Sequence, residues 1–83
     1  MYQVVLTRRA EKDLSRVDEK YKSQITAALF DLKETPYLGK SLKGRFFGCY
    51  SLRVWPYRII YKVHKKQLVV FVIRIGHRQG IYK

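Results

Sequence analysis

The chain has 83 residues, a net charge of +12 and a single cysteine. A length of this order makes one small domain, residues 1–83, with room for one modest core, and one cysteine excludes both a disulfide framework and a cysteine-rich zinc site. The longest apolar run, residues 68–73, falls far short of the ~20 residues of a membrane helix, and no apolar leader follows Met1, so the expectation is a cytoplasmic protein with no membrane partner.

Residues 2–6, "YQVVL", read as a short strand, and Thr7 is placed to cap the helix that follows. Ala10, Leu14 and Val17 recur at helical spacing over the next stretch. Asp18 offers a second cap, after which Tyr21, Ile25, Ala28, Leu29 and Leu32 form the apolar stripe of a longer helix. That helix should end near Glu34, because Pro36 disfavours helical backbone at Thr35. Residues 36–49, with three glycines and a proline, read as a loop, and Cys49 at its end as a small buried apolar residue. From Tyr50 the period becomes two: Tyr50, Leu52 and Val54, then Tyr57, Ile59, Tyr61 and Val63, alternate with mostly polar positions. Trp55-Pro56 and residues 64–67 are turns, the latter leaving His64 in solvent, and "LVVFVIRI" is a strand with neighbours on both sides. The fold expected is α+β: an N-terminal strand, then an antiparallel helical hairpin packed on one face of a mainly antiparallel β-sheet.

Charge is divided along the chain. All six acids lie in residues 1–34 beside seven Lys/Arg, whereas residues 35–83 hold eleven Lys/Arg and no acid. A scattered solubilising charge has no reason to exclude carboxylates from one half, so this division points to a polyanionic partner, nucleic acid first and an acidic protein second. Strand parity places Ser51, Arg53, Arg58, Lys62 and Arg74 together on the face away from the helices.

No P-loop, Ser/His/Asp set or paired carboxylates occur, and no metal or cofactor site can be argued. The acid-free half does hold fixed cations at Arg53, Arg58, Arg74 and Arg78, with His77 and Tyr82 close by. Such a set suits RNA cleavage by the 2′-hydroxyl: a base takes its proton, guanidiniums stabilise the phosphorane, and an acid protonates the leaving 5′-oxygen. Tyrosine titrates near ~10 in peptides, a value that nearby cations lower, and histidine near ~6.5, so both Tyr82 and His77 are candidates for proton transfer.

The stretch "LKGRFFGCYSLRVWPYRIIYKV", followed by a hydrophobic strand and "IRIGHRQGIY", closely resembles the RelE branch of the RelE/ParE toxin superfamily, the ribosome-dependent mRNA endonucleases of toxin-antitoxin systems. The resemblance spans essentially the whole chain and implies a RelE-like fold. It implies that Arg58 stabilises the scissile phosphate, that Arg78 binds and orients phosphate, and that Tyr82 stacks on a base and acts in proton transfer. Arg53 stands where well-studied members have lysine. Ser51 stands where some have a lysine linked to proton transfer, a charge serine cannot supply, which moves weight toward His77. Lys43, Ser51, Lys62 and Arg74 complete the expected RNA contacts. The partners implied are an acidic RelB-like antitoxin, the ribosome and mRNA, in a toxin-antitoxin hetero-oligomer that binds operator DNA through the antitoxin.

Two other functions share this fold or this charge: a ParE-like toxin that inhibits DNA gyrase without cutting RNA, and a basic module that binds nucleic acid without catalysis. Joint presence of Arg58, Arg78 and Tyr82 favours the nuclease over the gyrase inhibitor, which has no need of all three around one phosphate. In the basic module, by contrast, Tyr82→Phe should leave activity unchanged and Lys/Arg substitutions should weaken binding additively.

Overall fold

The apolar periods become seven elements in the computed structural model, which describes residues 1–81: β1 (Gln3–Leu6), α1 (Arg8–Ser15), α2 (Glu19–Glu34), β2 (Lys40–Ser41), β3 (Tyr50–Val54), β4 (Tyr57–His64) and β5 (Val69–His77). Among the described residues the strands form one sheet in the order β1-β5-β4-β3-β2, antiparallel except for the parallel pair β1 and β5. This is the α+β architecture expected from the sequence. Thr7 caps α1, its hydroxyl accepting the Ala10 N–H at 3.1 Å, and Asp18 caps α2 by accepting from Lys20. Helix α2 stops at Glu34, as Pro36 requires.

The stretch read as plain loop is more ordered than that. Lys40 and Ser41 pair with Ser51 and Tyr50 as an edge strand, and Gly44–Phe46 make a 3-10 turn. A two-residue strand is too short for alternation to register in the sequence.

Ala10, Ile25, Leu29 and Leu32 of the helices, with Val17 of the turn between them, bury their side chains against Ile59, Tyr61, Val70, Val72 and Ile75 of the sheet. Each large aliphatic side chain so buried stabilises the fold by roughly 1.5–3 kcal/mol relative to exposure. A smaller apolar cluster of Cys49, Ile60 and Ile81, flanked by Leu42, Phe46 and Ile73, covers part of the opposite face. Cys49 is thus buried as expected.

Strand β5 is irregular at one point. Ile60 pairs with Arg74 but Tyr61 pairs with Val72, which leaves Ile73 as an extra residue in a bulge. The bulge shifts parity, so Val70 and Val72 face the helices before it and Ile75 faces them after it. Strand β1 ends here, and α1 satisfies the β5 backbone in its place. The Thr7 hydroxyl donates to the Ile73 carbonyl at 3.2 Å, and Asp13 accepts the Ile75 N–H at 3.0 Å. Asp13 also accepts from Arg74 Nε at 2.9 Å. Arg74 therefore departs from expectation: strand parity assigns it to the cationic face, whereas its guanidinium is tied to a helix carboxylate.

Asp13→Ala leaves a buried N–H and a guanidinium without their acceptor and should lower stability by about 2 kcal/mol, read as a lower urea midpoint. Asp13→Asn, which keeps an acceptor oxygen, should lose less.

Candidate functional site

On the face away from the helices, Lys40 and Lys43 of the β2 segment stand across from Ser51, Arg53 and Arg58 of the β3–β4 hairpin around an open groove of about 720 Å³. Arg53 and Arg58 are direct cross-strand partners. Like charges so placed repel, and among the described residues no carboxylate lines the groove to offset them. Ser51, only 4% exposed, accepts a hydrogen bond from Arg58 Nη1 at 3.3 Å. One guanidinium edge is thereby oriented by a neutral hydroxyl, and its positive charge stays available to a ligand. The arrangement attracts and orients a dianionic or polyanionic group such as phosphate.

The groove wall is fixed from beneath. Tyr61 sends its hydroxyl through the sheet edge to accept the Gly39 N–H at 2.8 Å. A Cβ at Gly39 would lie 2.8 Å from both the Ser51 carbonyl and the Tyr61 hydroxyl, so only glycine allows the loop to seat this closely. Burial raises the Tyr61 phenol above its ordinary value of 10.0, the Gly39 N–H opposes this, and Tyr50 adds to it.

The remaining expected site residues are distributed around the sheet. Lys62 is exposed on the same face, its stem beside Gly48, outside the groove lining. Arg78 donates its N–H to the Pro56 carbonyl at 2.9 Å and holds its guanidinium over the Trp55 ring, at the turn end of the hairpin. His77 is not brought to Arg58. Because of the bulge it faces the helix side, edge-on to Tyr57 at 5.9 Å, beside a separate cleft with Asp13 and Arg16. Arg74 borders that same cleft. Tyr82 lies outside the described residues. Its neighbour Ile81, 2% exposed, packs against Gly76, the cross-strand partner of Arg58, after Gly80 and Ile81 both donate to the His77 carbonyl. His64, expected in solvent, is exposed but sets its ring edge-on to Phe71 at 5.0 Å.

Lys40 was not singled out from the sequence. Only its pairing with Ser51 brings it to the groove, and that pairing has no sequence period to announce it. Among the described residues no cluster of three or more His, Cys, Asp or Glu is placed to hold a metal ion, and no helix is long and apolar enough to cross a membrane.

Residues 4–82 match the family model of the ParE toxin of the type II toxin-antitoxin system parDE. The chain belongs to the RelE/ParE toxin superfamily. It is 30% identical to Toxin RelG of Mycobacterium tuberculosis over 99% of this chain and 97% of that protein. Its fold is similar to that in the RelBE2 toxin-antitoxin complex of the same organism, with a TM-score of 0.86, 29% identity, and coverage of 93% of this chain and 98% of the other. The intact Escherichia coli RelBE complex gives a TM-score of 0.78 at 31% identity, covering 93% and 96%. The protein is thus a RelE/ParE-type toxin of a type II toxin-antitoxin system. This chain carries arginine at both positions of the facing cationic pair and serine beside them.

A phenol whose titration is raised on folding stabilises the fold fully below its unfolded value near ~10, and that contribution is lost as pH rises through the folded value. Thermal melts of the wild type should therefore fall above pH ~10 more steeply than those of Tyr61→Phe, which has no proton to lose there. The variant should also loosen the Gly39 loop, read as faster amide exchange at that position.

Proposed function

We propose that this toxin is an mRNA endonuclease acting in the ribosomal A site, where the 2′-hydroxyl of the RNA attacks the adjacent phosphorus. The observation that carries the proposal is the facing pair Arg53 and Arg58 in a groove without carboxylates. In the reaction a base removes the 2′-OH proton, the 2′-oxygen bonds to phosphorus, and the bond to the 5′-oxygen breaks as that oxygen takes up a proton. The products are a 2′,3′-cyclic phosphate and a free 5′-hydroxyl.

Arg58 takes the charge that develops on the phosphorane, and Ser51 orients it. Arg53 shares that charge from across the hairpin, while Lys40 and Lys43 hold flanking phosphates. Arg78 binds the strand at the turn end, and Lys62 contacts it further along the face. Proton transfer is assigned to Tyr82, which follows the anchored Ile81 in the chain. The position of His77 against Tyr57 on the helix side favours this assignment over the imidazole. Ribosomal RNA supplies the docking surface for the basic half, and an acidic RelB-like antitoxin neutralises the same face. Support for the antitoxin comes from the similar RelBE2 and RelBE proteins, which were solved as toxin-antitoxin complexes.

The match to the ParE family model supports a second reading, inhibition of DNA gyrase without RNA cleavage. A protein-binding surface has no need of two opposed guanidiniums with a hydroxyl orienting one, which is why the nuclease is preferred.

Primer extension on a translated mRNA separates the two. Wild-type protein should cut only when ribosomes are present, and Arg58→Ala should slow cleavage by about 10²- to 10³-fold, the usual effect of removing one group that stabilises transition-state charge. Intact mRNA together with loss of gyrase supercoiling would establish the second reading instead.

A further inference from the structure

Trp55 is the chain's single tryptophan, and none of the groove chemistry uses it. It sits on the two-residue turn between β3 and β4 and is 57% exposed. An indole left this open contributes little to the core, and its surroundings are cationic. The Arg78 guanidinium lies 4.5 Å from the ring centroid, and the Arg78 N–H is bonded to the neighbouring Pro56 carbonyl, so ring and cation are held by the same turn. The Arg53 and Arg58 pair lies immediately inward of the Val54 and Tyr57 pair that closes the turn. Trp55 is two positions on from Arg53, about 7 Å at ~3.3 Å per residue, within reach of a base whose phosphate rests on the arginines.

We infer that Trp55, backed by Arg78, is a stacking platform for one unpaired nucleobase of a single-stranded polynucleotide. The inference rests on the reading of the groove as an RNA site and adds a base subsite to it. An aromatic face accepts any base, and stacking on it commonly contributes about tenfold in affinity per base. The arginine on the ring supplies attraction to the backbone beside the base without consuming the exposed part of the indole. The subsite therefore selects for an unpaired strand rather than for a sequence.

Because the chain has one tryptophan, its fluorescence reports on this position alone. The probes are a six-nucleotide oligodeoxynucleotide, which lacks the 2′-hydroxyl and cannot be cut by this chemistry, and the same strand with abasic sites, both at one fixed low salt. The base-containing strand should quench Trp55 emission and bind about tenfold tighter than the abasic one. By anisotropy of labelled strands, Trp55→Leu should lose about tenfold for the base-containing strand and nothing for the abasic one, with Trp55→Phe keeping most of the affinity.

Equal affinity for both strands without quenching would overturn the platform. So would a Trp55→Leu variant that binds the strands normally but loses an acidic protein partner, since Trp55 would then be a protein anchor. Primer extension with Arg58→Ala reports separately on the nuclease: ribosome-dependent cleavage with an unquenched Trp55 retains the enzyme and removes the platform, and quenching without cleavage does the reverse.

Discussion

Strand β5 carries one residue more than the strand opposite it, and the side chains of α1 hold that extra residue in place. Where β1 stops pairing, the Thr7 hydroxyl takes the Ile73 carbonyl and Asp13 takes the Ile75 N–H. A bulge in a strand with an open edge would otherwise leave backbone groups without partners, a cost of about 1–3 kcal/mol for each buried one. Pinned in this way, the bulge reverses which residues face the helices. Ile75 joins the main core and His77 turns to Tyr57, while Gly76 lies opposite Arg58 with its bare Cα under Ile81. The seat of Ile81 over Gly76, and the separation of His77 from the groove, both follow from one inserted residue.

The helices were the most legible part of the sequence, because a stripe at helical spacing, a capping Thr7 or Asp18 and the stop before Pro36 are local signals that packing did not override. Strands β3 and β4 were legible for the same reason, with alternation placing Ser51, Arg53 and Arg58 on one face. The bulge was not. In "LVVFVIRI" nearly every position is apolar, so Arg74 alone marks a face, and an inserted residue leaves no mark. The exclusion of His77 from the groove has this origin, whereas Arg74, paired with Ile60, keeps the face that strand parity gives it and only its guanidinium departs, by reaching Asp13.

Charge teaches a related lesson. All carboxylates lie in the first 34 residues, yet folding brings one of them, Asp13, against Arg74 of the acid-free half. Separation in sequence became separation in space only where β3, β4 and the β2 segment face away from the helices. The groove there depends on contacts that link residues far apart in the chain, Lys40 to Ser51 and Gly39 to Tyr61, and neither has a motif. A buried tyrosine reads as core, and its second task, holding a loop by one hydroxyl, belongs to the three-dimensional structure alone.

The opposed Arg53 and Arg58 also bear on how ionic strength acts on the molecule. In the free protein the two guanidiniums repel across the hairpin, so added salt screens an internal strain and favours the folded chain. In a complex with a polyanion the same salt competes for the same two groups and weakens association. Stability and binding thus respond to salt with opposite signs at a single pair of residues, and a buffer chosen to keep the isolated toxin folded works against its capture of an anionic partner.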